Sequence, residues 1–202
     1  MNAIDEKLRQ DLISMAEEDL RVREELAATG ELFEGYHPKM EAVHVKNAAR
    51  LSEMIEQYGW LGKSKVGEKG AKAAWLIAQH AIGNPSLQRK VLRLIEEEVR
   101  RGEVPAYQAA YLEDRIRFFE GKPQIYGTQF NWNERGEMSP QEILQPENID
   151  ERRAEAGLEV PYSKVIKAHR EATRKSNEKP PANFRERQKE FEEWARRTGW
   201  RK

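Results

Sequence analysis

Apolar residues recur at three- and four-residue steps through most of this chain, the spacing that turns one side of an α-helix toward a core. Ile4, Leu8, Leu12, Met15, Val22 and Leu26 predict a long amphipathic helix that stops at Thr29-Gly30. Met40, Val43, Asn47, Leu51, Met54, Ile55 and Tyr58 predict a second, ended by Gly59, with Asn47 and His44 on its inward stripe. Residues 59–70 hold four glycines and three lysines and read as a loop. The loop feeds residues 71–83, Ala-Lys-Ala-Ala-Trp-Leu-Ile-Ala-Gln-His-Ala-Ile-Gly, a helix apolar nearly all round that carries Gln79 and His80 inside. A polar group left unpaired there costs about 1–3 kcal/mol, so partners must come from elsewhere in the chain.

Asn84-Pro85-Ser86 restarts a helix with Leu87, Val91, Leu94, Ile95 and Val99 inward, and Gly102 stops it. A fifth helix spans about residues 105–120, with Tyr107, Tyr111, Asp114, Arg115 and Phe118 close to one face. Residues 124–132 are β-prone and aromatic, and Asn133-Glu134-Arg135-Gly136 is turn chemistry, which predicts a short hairpin. Helices resume near residues 148–156 and 161–175. Residues 176–182, with Pro180-Pro181, read as a linker to a final helix with Phe184, Phe191 and Trp194 on one face. The expected fold is mainly α: a compact multi-helix domain over residues 1–175, one small β-hairpin near 124–138, and a C-terminal helical appendage over 176–202.

Composition changes this picture little. The 202 residues carry 35 basic and 35 acidic side chains, so overall charge points to no polyanionic partner. From Lys164 onward, however, thirteen basic residues stand against six acidic ones, leaving the earlier part acidic. The absence of cysteine excludes disulfides, thiolate metal sites and a cysteine nucleophile. No run of about 18 uncharged apolar residues occurs and no apolar run follows the charged start, so a soluble cytoplasmic protein without a membrane is expected.

The chemistry concentrates around His80. Gln79 precedes it, His44 and Asn47 share an inward stripe, and Asp114 and Arg115 stand among apolar and aromatic residues. Adjacent helical residues point about 100° apart, so Asp114 and Arg115 need separate partners. An Asp114–His80 contact would fix the imidazole tautomer and raise its basicity, as suits a general base. The alternative is a buried network in which Asp114 bonds a backbone amide and Arg115 pairs with Glu113 or another acid. Gln124, Tyr126, Thr128 and Gln129 crowd two amides, a phenol and a hydroxyl into six residues, which suits orientation of a polar ligand or, alternatively, an edge strand facing water.

These motifs carry a resemblance. Gln79-His80, Leu112-Glu113-Asp114-Arg115, the run Gln124-Ile125-Tyr126-Gly127-Thr128-Gln129, and Arg152-Arg153 followed by Gly157-Leu158 resemble the signature of a bacterial domain family of unknown function. Asp19 with Arg23, and Gly59-Trp60, fit the same pattern, which spans roughly residues 12–165. The resemblance implies a shared polar site and names no substrate. The chain departs from the pattern at His44, where an acidic residue is usual, and at Ile82-Gly83, where another is usual.

Other motifs fail on inspection. Residues 62–69 approach a phosphate-binding loop, but Glu68 occupies the lysine position and no strand leads in. The calcium-loop match at Asn131, Asn133, Gly136 and Glu142 has Arg135 in place of an oxygen ligand. The four histidines never occur at the short spacing of a helical zinc motif, and only the long-range pair His44 and His80 with Asp114 could form a metal site. No metal and no cofactor is expected. The basic-aromatic tail could grip single-stranded nucleic acid, but its aromatic residues share a helical face, which favours packing on the acidic body or on a second copy of the chain.

The expected function is therefore a small enzyme with a polar pocket that performs acid/base chemistry, as a hydrolase or lyase, on a polar anionic small molecule. His80 and Asp114 would be catalytic. Arg115, Gln79, Gln124, Tyr126, Gln129, Arg153, His44 and Asn47 would bind substrate. The rival expectation is a non-enzymatic binding or regulatory protein that meets a protein or nucleic-acid partner through its basic tail, or self-associates through the C-terminal helix.

Overall fold

The computed structural model describes residues 4–33, 35–176 and 178–202. Among these the protein is mainly α, with eight helices, two single 3-10 turns and one two-stranded antiparallel hairpin. The chain forms two compact units, the first built from the residues up to Leu32 with Tyr36–Ala109, the second chiefly from Ala110–Lys202.

In the first unit, α1 (Glu6–Thr29) begins where the Asp5 carboxylate accepts the Leu8 amide at 2.9 Å and ends on Gly30. Its buried stripe is Leu8, Leu12, Ala16, Asp19, Val22 and Leu26. Ile4, expected in that stripe, lies ahead of the helix and is exposed. In α2 (Pro38–Tyr58) the buried positions include Met40, Val43, His44, Asn47, Leu51 and Ile55. Val22, Leu26, Met40 and Val43 form one apolar cluster, with Leu32 and Tyr36 against it. The Asn47 side-chain amide crosses from α2 to donate to the Met15 carbonyl of α1 at 3.1 Å.

The glycine-rich stretch is largely helix, contrary to the expected loop. The third helix, α3 (Lys63–His80), starts directly after Gly62, and only residues 59–62 stand outside a helix. Gly67 (φ 68°, ψ 172°) kinks it without ending it, a conformation that side chains other than glycine rarely take. Val66 anchors the segment in the core with no exposure, and the Lys65 ammonium donates to the carbonyls of Tyr58 and Trp60. Glycine here bends a helix whose apolar anchors outweigh its low propensity. The next helix, α4 (Pro85–Arg100), is capped by the Asn84 side chain on the Leu87 amide at 3.0 Å. Gln88, fully buried, donates from Nε2 to the carbonyls of Ala78 and Gln79 at 2.8 and 3.0 Å. It therefore satisfies two carbonyls that the end of α3 would otherwise leave bare.

The fifth helix, α5 (Ala106–Glu120), has its first residues in the first unit and the remainder in the second. In the second unit it buries Leu112, Asp114, Ile116 and Phe119. The segment after it departs from the expected strand: the hairpin is confined to β1 (Phe130–Trp132) and β2 (Met138–Pro140), with Phe130 opposite Pro140 and Trp132 opposite Met138. Residues 124–129 instead curl around Asp114. Its carboxylate accepts the amides of Ile125, Tyr126 and Thr128 at 2.7, 3.1 and 2.9 Å and the Thr128 hydroxyl at 3.0 Å. Amides of an extended strand alternate in direction and could not converge on one carboxylate, so the buried charge overrides β-propensity.

Gln124 closes the curl, donating to the carbonyls of Gln129 and Gln141 and accepting the Gln129 amide. In α6 (Ile149–Glu155), Arg152 and Arg153 donate to the carbonyls of Ile125 and Tyr126 at 2.9 and 2.8 Å. Gly127 has φ 66°, and a Cβ there would come within 2.5 Å of the Tyr162 ring at the start of α7 (Tyr162–Lys175). The last helix, α8 (Phe184–Arg197), lays Phe191 and Trp194 on Phe118 and Phe119 of α5, with ring centroids 5.3 and 5.4 Å apart for Phe118–Phe191 and Phe119–Trp194. Trp200 stacks on Phe119 at 5.2 Å.

Asp114→Asn keeps the shape but replaces an acceptor oxygen by a donor facing amide hydrogens. It should destabilise the second unit by about 2–4 kcal/mol, read as a lower urea midpoint, with hydrogen exchange accelerated most at the Ile125, Tyr126 and Thr128 amides. Gly127→Ala should lower the thermal midpoint through both its positive φ and the Tyr162 contact, a combined cost of about 2 kcal/mol or more.

Candidate functional site

Three side chains from three helices of the first unit meet, two imidazoles on one carboxylate. Asp19 stands in the inward stripe of α1, His44 in that of α2, and His80 is the last residue of α3. Asp19 has no exposed surface, while His44 and His80 keep 10% and 20% of their side chains open. His80 Nδ1 donates to Asp19 Oδ1 at 2.8 Å. His44 Nε2 lies 3.3 Å from Asp19 Oδ2, within ion-pair reach but off the line of a hydrogen bond. Both of those atoms are buried and hydrogen-bond no partner among the described residues. The other nitrogen of His44, Nδ1, is 2.8 Å from the Tyr36 hydroxyl, and the two imidazole rings lie 5.1 Å apart.

Burial by itself pushes the Asp19 carboxyl up, because the charged form loses water. Interaction with the imidazoles of His44 and His80 outweighs it and holds the group well below the usual carboxylate range. The Tyr36 phenol moves the other way: burial, then the negative charges of Glu41 and Asp19, push it up, so it stays protonated. The result is a polar chain, Tyr36 to His44 to Asp19 to His80, with a buried anion at its centre and an imidazole at its more open end. An ionised carboxylate on Nδ1 leaves Nε2 of His80 as the basic nitrogen, so the arrangement can accept and return a proton or hold a cation.

Of the residues expected at the site, His44 and His80 are brought together. The carboxylate on His80 Nδ1 belongs to Asp19, whereas Asp114 accepts the amides of Ile125, Tyr126 and Thr128. Asn47 uses its amide nitrogen to tie α2 to α1, and Gln124 and Gln129 bond within their own loop. Arg153 donates to the carbonyls of Tyr126 and Val160 and lies over the Tyr162 ring. Tyr126 donates its amide to Asp114 and accepts from Arg153 through its carbonyl. Gln79 is buried, and its carbonyl receives Gln88; Arg115 is partly buried on α5.

Asp19 and Tyr36 are the members that pattern reading left out of the site. The signal for Asp19 was present: it stands four residues after Met15 and three before Val22, a carboxylate in an apolar stripe. Tyr36 follows a glycine in a turn, and nothing in its spacing marks it.

A mainly helical protein with a buried aspartate held between two histidines is the class that fold and site define. The chain belongs to a family of unknown function, DUF6624, whose profile matches residues 6–174 and so takes in Asp19, His44, His80 and the Asp114 loop. No match is found among proteins of curated function or among solved structures. No helix among the described residues is long and apolar enough to cross a membrane.

Because the Asp19 carboxyl is depressed in the folded state, its contribution to stability is present above the unfolded value near 3.8 and is lost as pH falls through the lower folded value. Asp19→Asn should therefore lower the chemical-denaturation midpoint at neutral pH, and the gap to the unmodified protein should shrink below about pH 4. A gap that is independent of pH down to acid unfolding would contradict this assignment.

Proposed function

We propose that this chain is a small cytoplasmic enzyme of the hydrolase or lyase type whose reactive centre is the Asp19, His44 and His80 group. His80 takes and returns the proton, Asp19 positions it, and His44 with Tyr36 completes the polar chain behind. The observation that carries this reading is the bond from His80 Nδ1 to a carboxylate with no exposure, on an imidazole that keeps a fifth of its side chain open. A wholly structural histidine gains nothing from that opening, whereas a proton-transfer group needs it. The substrate class proposed is the one expected from the sequence, a polar anionic small molecule, attacked by activated water or deprotonated in an elimination. No serine or cysteine nucleophile is needed for either.

The rival reading, a binding protein working through its basic tail, draws less support. The aromatic side of α8 lies on Phe118 and Phe119, and several of its cations are paired along the helix, Arg187 with Glu190 and Arg196 with Glu192.

The test is the thermal midpoint of His80→Asn together with turnover on a panel of phosphate, carboxylate and sulfate esters and of β-substituted acids. The expected result is turnover reduced by at least about 100-fold, with a lowered midpoint because the buried Asp19 carboxylate loses the donor on Oδ1. In a protein of this size 1 kcal/mol moves the midpoint by roughly 2–4 °C, so the turnover is read below the lowered midpoint, and turnover kept by the folded variant would overturn the enzyme reading.

A further inference from the structure

We infer that the Asp19, His44 and His80 group is a binding site for one divalent transition-metal ion of the zinc class. The inference rests on reading this group as the reactive centre and adds what occupies it. Each of the three residues offers one ligand atom, and all three atoms lie within 4.8 Å of one another. Asp19 Oδ1 is 2.8 Å from His80 Nδ1, and Asp19 Oδ2 is 3.3 Å from His44 Nε2. A tetrahedral ion with bonds of about 2.0–2.2 Å sets its ligands roughly 3.3 Å apart, so small rotations of the two rings suffice to receive one. Two imidazoles and one carboxylate, leaving a fourth position for water, is a donor set suited to zinc, and the mix of nitrogen and oxygen argues against calcium or magnesium.

A second observation points to the same occupant. Asp19 Oδ2 and His44 Nε2 face each other, both buried, neither hydrogen-bonded among the described residues. They stand 3.3 Å apart, within ion-pair reach but off the line of a hydrogen bond, and a deprotonated Nε2 and the carboxylate oxygen could each give a lone pair to an ion between them. Tyr36 fits the scheme from behind. The Tyr36 hydroxyl lies 2.8 Å from His44 Nδ1, and in the loaded protein Nδ1–H would donate to that oxygen and turn the Nε2 lone pair to the ion, the outer hydrogen bond that fixes the tautomer of a metal-bound histidine. In the metal-free protein Asp19 Oδ1 accepts the proton on His80 Nδ1. In the loaded protein the ion would stand in place of that proton, His80 would serve as a ligand in place of its role as proton carrier, and a water on the ion would supply the base.

The experiment is calorimetric titration of Zn²⁺ into the chelator-treated full chain, repeated with Co²⁺ to record its visible absorption. One ion per chain should bind, with the strong visible bands of four-coordinate Co²⁺. Asp19→Asn and His44→Gln should each weaken binding by at least about 100-fold, and Tyr36→Phe by about tenfold. Circular dichroism shows which variants fold, and His37→Gln, at the His37–Glu31 pair, should bind like the unmodified protein. Zn²⁺ should also raise the melting midpoint of the unmodified chain, an effect lost in any folded Asp19 variant.

Absence of binding to the unmodified folded chain, or binding unchanged in a folded Asp19 or His44 variant, would overturn the metal site. Those outcomes leave the proton-transfer reading standing if the chelated protein still turns over and His80→Asn does not. Tight binding with no turnover in any state would instead leave a metal site and remove the enzyme.

Discussion

Removing a carboxylate entirely from water costs several kilocalories per mole unless donors surround it, and this chain does so twice. Asp19 and Asp114 are both without exposed surface, and the packing near each is arranged around its demand for hydrogens. The two demands are met in different currencies of chemistry. Asp114 receives backbone amides and a hydroxyl, groups that do not titrate and do not leave. Asp19 receives imidazoles, side chains able to carry a proton on either nitrogen. One aspartate fixes a loop; the other joins three helices through side chains of a kind that can carry a proton. That contrast distinguishes the two buried carboxylates more sharply than burial does.

Much of the helical framework was legible because the signals agreed with one another. The stripes of α1, α2 and α4 matched their stop residues Gly30, Gly59 and Gly102, and Asn84 with Pro85 marked a start that the structure keeps. Two segments were misread for the same reason, a local preference overridden by a buried group. Glycine content made residues 59–70 look like a loop, yet Val66 seats that segment in the core as helix. Aromatic and β-branched content made residues 124–129 look like a strand, yet Asp114 gathers their amides into a curl.

The site was half legible. His80 and His44 drew notice as polar residues on apolar faces, and the structure brings their rings to 5.1 Å. Asp114 drew the same notice and proved to be the anchor of a loop, because a sequence gives no way to tell a carboxylate that faces amides from one that faces an imidazole. Asp19 entered only through the family resemblance and was given no place in the site. Its register with Leu12, Val22 and Leu26 was the physical signal, and register becomes decisive once the partner stripes are known.

Gln88 carries a consequence for the angular precision of the first unit. Each helical residue turns about 100°, so a slip of one position at the end of α3 would swing His80 away from Asp19 altogether. The side chain of Gln88 grips the carbonyls of Ala78 and Gln79, the two residues before His80, from a separate helix. Like a key in a shaft, it opposes rotation about the helix axis through two backbone carbonyls. The fit of imidazole to carboxylate is thus set by a neutral amide on α4, and its loss would blur the alignment of the centre without altering a single member of it.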